Sequence, residues 1–361
     1  MTYSLEIFIK IQIACDCMPA VTFIWCLRAM HQHKSNGDGN KIEPILLFIL
    51  AAGSYVGWNI GANDTANCVG TTVGCGLISF RNAVILVAIF AVLGALLQGE
   101  DVMKTVGHAI VKGDLSYAAV VIALISSGFF VTLATFFRIP TSTSQAIVGG
   151  VVGIGLALDA EIDHSKLIAI VESWIICPIM VAVLAFALMH VLNRVLRKPE
   201  SRTLLLQHAM GRLAIASACY TAYALGANHA GTAVGPIGNL GIFHPKLLLL
   251  IGGLSIALGA ATYAKKVAHT VGTGITPLDI PGAFIAQISS AFGMHLFSML
   301  GIPVSTSSSI VGAVVGVGLV KGARAISTRM VLTILVGWIL TPAMTLAAAY
   351  ISYRVIAALS G

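Results

Sequence analysis

Gly61-Ala62-Asn63-Asp64-Thr65-Ala66-Asn67 returns later in the chain as Gly226-Ala227-Asn228-His229-Ala230-Gly231-Thr232. A second stretch behaves the same way. Ile139-Pro140-Thr141-Ser142-Thr143-Ser144, followed by Ile147-Val148-Gly149, comes back as Ile302-Pro303-Val304-Ser305-Thr306-Ser307, followed by Ile310-Val311-Gly312. Fainter echoes keep this order, Thr105-Val106-Gly107 with Thr270-Val271-Gly272 and Trp174…Pro178 with Trp338…Pro342. The offset stays near that from Gly61 to Gly226, so one unit has been duplicated. Polar motifs at corresponding places in two apolar halves point to a transport site at the repeat interface.

The surroundings of these motifs set the class. The 361 residues are 57% hydrophobic and 10% charged, with a mean hydropathy of +0.94, whereas a globular chain carries about 25% charged residues. Apolar runs at 81–99, 116–137, 167–193, 281–300 and 330–351 approach or exceed the roughly 20 residues needed to cross a bilayer. The short alternating strands of an outer-membrane barrel are missing from the pattern. The expectation is an all-α polytopic membrane protein. Its net charge of +7 then reads as basic cytoplasmic loops rather than a nucleic-acid surface. Seven cysteines, an odd number lying mostly in apolar segments, exclude a complete disulfide framework.

The repeats divide the chain. Residues 1–43 have no counterpart in the second half and read as an N-terminal extension. Residues 44–196 form a first transmembrane repeat, 197–206 a short basic cytoplasmic linker, and 207–361 a second repeat. Arg194, Arg197, Lys198, Arg202 and Arg212 flank that linker. The loop Asp159 to His164 is acidic, while its counterpart carries Lys321, Arg324 and Arg329. Opposite charge at equivalent places suggests opposite sides of the membrane, hence two inverted-topology repeats. In each half an apolar helix runs into the Gly-Ala-Asn motif and a glycine-rich helix leaves it. A long helix then reaches Ile-Pro-x-Ser-Thr-Ser, a half-length helix follows, and a closing helix carries Trp and Pro.

Two constellations carry chemistry. Asn63, Asp64 and Asn67 lie among glycines between apolar stretches. A carboxylate inside a membrane costs several kcal/mol unless it binds a cation, takes a proton or pairs with a base. Asn and Asp oxygens suit a small hard cation such as Na⁺, and the preceding glycine would let the helix unwind and offer carbonyls. In the second copy Asn228 and Thr232 are the corresponding candidate ligands of the coupling cation, while His229 stands where Asp64 does. The halves therefore differ chemically, and His229 becomes a titratable or anion-facing group or a packed polar one. In the Ile-Pro-x-Ser-Thr-Ser stretches, proline suits a first helical turn and Ser or Thr its cap. Each reads as the N-terminus of a half-helix inside the membrane, with free N–H groups and the positive dipole end favouring an anion. Ser142, Thr143 and Ser144, with Ser305, Thr306, Ser307 and Ser308, add hydroxyl donors around a tetrahedral oxyanion. The glycines that follow are assigned to helix packing, and Trp174 and Trp338 to packing or interface anchoring.

With these residues in view, the chain resembles the inorganic phosphate transporter family of cation-coupled symporters. That family carries a duplicated G-A-N-D-x-A-N-A motif and a P-x-S-T-[ST] motif in each half. Here they stand as Gly61 to Cys68, Gly226 to Ala233, Pro140 to Ser144 and Pro303 to Ser307. The resemblance implies inverted repeats and a phosphate site at the paired half-helices, with Na⁺ or H⁺ coupling near the Gly-Ala-Asn segments. It also adds Gln145 to the phosphate site. His229 and Thr232 depart from the second hallmark, Cys68 replaces the last alanine of the first, and Ala91 stands where eukaryotic members carry an acid. The long central loop of those members is missing.

The reading is symport of inorganic phosphate with Na⁺ or H⁺ across the cell membrane. It calls for no cofactor and no nucleic acid, with the lipid bilayer as partner and a homodimer compatible with it. A sulfate permease of the same family is the nearest alternative. An intramembrane enzyme or a channel fits less well, because Asp64 lacks a second facing acid and no Gly-x-Ser-Gly nucleophile is present. A phosphate-binding loop for ATP is also missing.

Overall fold

The computed structural model describes residues 39–136, 141–196, 204–264, 278–322 and 328–360. The extension before residue 39, Ile139 and Pro140, most of the central linker, Lys265, Lys266, Thr270 to Gly272 and Arg324 lie outside the described residues. Apart from an isolated bridge between Val111 and Ile162, all regular structure among the described residues is helical. Seven described helices are long and apolar enough to cross a membrane.

The first half contains α1 (Gly39–Gly74), α2 (Phe80–Gln98), α3 (Glu100–Lys104) continued by a π turn (Thr105–Ala109), α4 (Tyr117–Phe136), the half-length α5 (Thr143–Ala157) and the closing α6 (His164–Leu196). The second contains α7 (Leu204–Gly238), α8 (Pro245–Thr262), α9 (Ile280–Met299), the half-length α10 (Thr306–Lys321) and α11 (Thr328–Ser360). Local sequence sets the boundaries. Ser79 caps α2 by accepting from the Asn82 N–H, and Asp279 caps α9 by accepting from the Gly282 N–H, as short oxygen-bearing side chains do. The turns that end α1 and α7 use Gly76 at φ +70° and Gly241 at φ +65°, a left-handed conformation that a side chain disfavours.

Glycines in the helices explain how the halves interlock. A Cβ on Gly61 of α1 would lie 1.9 Å from the Ile256 carbonyl oxygen of α8, and one on Gly226 of α7 would lie 1.9 Å from that of Ala91 on α2. The partners answer in kind, with Gly259 against Trp58 O and Gly94 against Tyr223 O. Each motif helix thus packs backbone to backbone on the second helix of the other half. The half-helices do the same with the closing helices. Gly149 and Gly153 of α5 press on Pro342 and Leu346 of α11, and Gly312 and Gly316 of α10 press on Pro178 and Ala182 of α6. Small residues that admit such close approach are the usual means of packing helices where lipid offers no hydrophobic drive. The outer faces of α6 and α11 remain apolar and exposed, for example Ile175, Ile179, Ile339 and Ile351, as a lipid-facing surface requires.

One expectation is corrected here. Both Gly-Ala-Asn segments lie within continuous helices, α1 of 36 residues and α7 of 35. Gly61 and Gly226 serve close packing rather than unwinding, so the Gly-Ala-Asn segments are not where the helices are interrupted.

Candidate functional site

The site begins with two caps. Ser142 and Ser305 adopt extended backbone and accept from the Gln145 and Ser308 N–H groups, at 3.3 and 3.2 Å. The helices start at Thr143 and Thr306, so Pro303 precedes its cap by two residues instead of occupying the first turn. Proline there holds the lead-in stretch extended. Both ends are buried: Thr141 to Gln145 and Val304 to Ser309 are nearly inaccessible. Two helix N-termini, each with unpaired N–H groups and a partial positive charge, therefore sit inside the protein.

These termini face each other. The Ser144 hydroxyl donates to the Val304 carbonyl at 3.0 Å, and the Ser307 hydroxyl reciprocates to the Thr141 carbonyl at 3.4 Å. Within each motif the outer serines also pair, Ser142 with Ser144 at 3.3 Å and Ser305 with Ser307 at 2.9 Å. The structure thus brings together the serines that sequence assigned to an oxyanion. Ser308 differs: its hydroxyl donates to Ser305 O at 2.9 Å, within its own turn. Gln145 is buried and its Oε1 has no hydrogen-bond partner among the described residues.

The Gly-Ala-Asn residues lie directly behind. In the first half the Asp64 carboxylate accepts from Asn63 Nδ2 at 2.9 Å, from Asn67 Nδ2 at 3.5 Å and from the Thr143 hydroxyl at 2.8 Å. Asp64 is buried, with 1% of its surface exposed. Asn63 Nδ2 also donates to Thr141 O at 3.3 Å, fixing the lead-in to α5. In the second half Asn228 does this more completely. Its Nδ2 donates to Ile302 O and Ser298 Oγ, both at 3.0 Å, and its Oδ1 accepts from Val304 N at 3.1 Å. Thr232 donates to Asn228 O, one turn back, at 2.8 Å. His229 is wholly buried, with Nε2 3.2 Å from Thr306 Oγ1 and 3.6 Å from Asp64 Oδ2.

Chemically, the arrangement offers a buried carboxylate whose attached hydroxyl begins one half-helix and an imidazole in the same place behind the other. A buried charge of this kind is costly without compensation. Here amide and hydroxyl donors surround it, and turning the Asn63 and Asn67 amides would present oxygens to a cation. Among the described residues no group of three or more His, Cys, Asp or Glu side chains gathers that could hold a metal ion.

Sequence reasoning missed several contributors. Trp174 Nε1 donates to Pro303 O at 3.3 Å and so holds the extended lead-in to α10. Thr141 supplies the carbonyl shared by Asn63 and Ser307. Gln287 of α9, fully buried, donates to Thr71 Oγ1 at 2.8 Å and accepts from Thr221 at 2.7 Å, tying α1 to α7. A lone amide in an otherwise apolar span is the signal that could have found it. Glu100 and Lys104 form an exposed ion pair on α3, away from these groups.

Comparison with known proteins follows the same lines. A family model described as the phosphate transporter family matches residues 60–349. A Pyrococcus furiosus protein named "Putative phosphate permease" is 29% identical, over 83% of this chain and 93% of its own. The chloroplastic inorganic phosphate transporter of Arabidopsis thaliana is 27% identical over 85% of this chain and 72% of its own. A solved structure titled "The sodium-dependent phosphate transporter" superposes with a TM-score of 0.77 and 27% identity, covering 87% of this chain and 99% of that one.

Proposed function

This chain belongs to the phosphate transporter family, and from that premise we propose that it carries inorganic phosphate across the plasma membrane by symport with Na⁺. Phosphate transport itself follows from the family. The coupling ion and the residues that bind each ion are the inference. Phosphate sits between the N-termini of α5 and α10, taking N–H groups and the hydroxyls of Ser142, Ser144, Ser305 and Ser307 once the reciprocal serine–carbonyl bonds open. Helix N-termini favour a phosphate without any committed arginine. Na⁺ sits at Asp64, with Asn63 and Asn67 turned to offer oxygens.

The observation that carries the coupling is the 2.8 Å hydrogen bond from Thr143 to Asp64. One residue is both the first of an anion-facing helix and the partner of the buried acid. Loading a cation at Asp64 offsets its negative charge and so lowers the cost of bringing phosphate to α5. The sodium-dependent title of the structural relative supports Na⁺ over H⁺. Opposed halves that share this site would then rock about it, as inverted repeats do.

The test is uptake of labelled phosphate into proteoliposomes under an inward Na⁺ gradient, with a pH gradient and excess sulfate as separate arms. Uptake that requires Na⁺ and ignores sulfate is expected. Uptake driven by a pH gradient alone would replace Na⁺ by H⁺, and strong competition by sulfate would reassign the substrate.

A further inference from the structure

We propose that the molecule binds its coupling cation in the first half only, and that in the second half His229 replaces the cation with a fixed hydrogen-bond donor. The inference rests on the transport reading above and names its stoichiometry, one cation for each phosphate.

Two independent observations carry it. The first is the engagement of the oxygens. Around Asp64, a carboxylate is present and the amide oxygens of Asn63 and Asn67 can be turned toward it. At the corresponding place in the second half there is no acid. The Asn228 Oδ1 is taken by the Val304 N–H and its Nδ2 by Ser298 and Ile302, so the amide cannot turn without breaking three bonds. The Thr232 hydroxyl, which replaces Asn67, donates along its own helix. All of these groups are buried. A second bare cation there would have no acid of its own, since Asp64, 3.6 Å from His229, already balances the first, and no free oxygens, and an uncompensated buried charge is prohibitively costly.

The second is the direction of the hydrogen bonds at the two threonines. Carboxylate oxygens only accept, so Thr143 must give its hydroxyl proton to Asp64. None remains for an anion. Thr306 meets an imidazole nitrogen instead. His229 Nδ1 is buried and has no hydrogen-bond partner among the described residues. A buried N–H without an acceptor is rarely tolerated, whereas an unpaired acceptor is less costly. This places the ring proton on Nε2, the nitrogen that faces Thr306 Oγ1 at 3.2 Å and Asp64 Oδ2 at 3.6 Å. Thr306 then accepts from the imidazole and keeps its own O–H to donate to phosphate. The exchange of acid for imidazole reverses the polarity of one threonine. What a second cation would achieve by offsetting charge is done by a neutral donor pair built into the protein.

His229 is therefore a positioning residue, acting on phosphate through Thr306. The experiment uses the full chain in proteoliposomes and measures initial phosphate uptake against external Na⁺, together with the ratio of labelled Na⁺ to labelled phosphate taken up. In the unmodified protein a Hill coefficient for Na⁺ of about 1 is expected, since cooperativity is bounded by the number of sites, with a flux ratio to match. His229→Asp, which installs the first-half residue, should raise both toward about 2. His229→Gln keeps an amide N–H and should hold phosphate KM close to that of the unmodified protein, while His229→Ala should raise it about tenfold with the Na⁺ Hill coefficient unchanged. A merely structural histidine would not move the Na⁺ dependence. Two Na⁺ per phosphate in the unmodified protein overturns the inference without any variant having to fold, and leaves the transport reading intact. So does an unaltered Na⁺ dependence in a well-folded His229→Asp protein. Phosphate uptake that ignores Na⁺ under every gradient removes the transport reading and the inference with it.

Discussion

The two Gly-Ala-Asn segments occupy the same position in helices of almost the same length, pack through the same glycine on equivalent partners and stand behind equivalent half-helices. Yet one presents a carboxylate ringed by donors and the other an imidazole beside a pinned amide. The architecture is symmetric and the chemistry is not. Duplication therefore accounts for the scaffold, because backbone-to-backbone packing constrains residues whose replacement would separate helices. A side chain held by polar contacts at its tip is freer to change than one pressed on a neighbouring backbone, and that is where the halves diverge.

The largest test of this contrast removes the first-half acid. Asp64→Asn keeps the shape and its donors' partners but loses the charge. The enhancement of phosphate affinity by Na⁺, of the order of 5–150-fold for coupled sites, should disappear, so that apparent phosphate KM no longer depends on Na⁺. Retained Na⁺ stimulation would move the cation elsewhere. The symmetric part predicts the opposite pattern. Gly61→Ala and Gly226→Ala each drive a methyl to 1.9 Å from a backbone oxygen, where no side chain can yield. Overpacking of this kind costs about 1–3 kcal/mol or more, and the two variants should lose thermal stability in detergent by similar amounts. A large difference between them would show that the halves are not equivalently packed.

The threonines sharpen the comparison at a smaller scale. Thr143→Ala removes a hydrogen bond to a charged group, worth about 1.5–3 kcal/mol, and its effect should fall on the Na⁺ concentration for half-maximal uptake. Thr306→Ala should fall instead on phosphate KM, by about tenfold. If both variants shifted the same parameter by the same amount, the reversed polarity of Thr306 would be wrong.

How far the sequence reached follows the same division. The repeat, the helical class, the half-helices and the pairing of serine motifs were legible, because they depend on period, capping residues and order along the chain. A Ser or Thr cap on each half-helix could be recognised from residue type, and the structure gives that place to Ser142 and Ser305. Continuous helices through Gly61 and Gly226 could not, since a glycine that admits a neighbouring helix looks in sequence like a glycine that breaks its own. Trp174, assigned to packing or interface anchoring, and Gln287, not singled out, were placed short of these contacts for a related reason. Their partners, Pro303 O and Thr71, lie far along the chain, and the crossing of each closing helix to the other half leaves no local mark.

The finest prediction concerns a pair of clasps that repeat the asymmetry away from the ions. Tyr55 hydrogen-bonds Thr132 at 2.6 Å, linking α1 to α4, and at the equivalent place Tyr220 hydrogen-bonds His295 Nδ1 at 2.6 Å, linking α7 to α9. Again a histidine stands in the second half. Thr132 has other partners, Asn59 Oδ1 at 2.8 Å and Gly128 O at 2.9 Å, so Tyr55→Phe leaves its hydroxyl satisfied. Loss of one neutral hydrogen bond is worth about 0.5–1.5 kcal/mol, and the lower end is expected. His295 Nε2 already lacks a partner among the described residues. Tyr220→Phe would strip the other ring nitrogen as well, leaving a half-buried imidazole with both nitrogens unpaired, and an unsatisfied buried polar group costs about 1–3 kcal/mol. The Tyr220 variant should therefore melt at the lower temperature of the two, although both delete one hydroxyl from the same structural position. Equal melting temperatures would mean that the His295 ring finds another partner, and the second-half clasp would lose its claim to be the more tightly constrained.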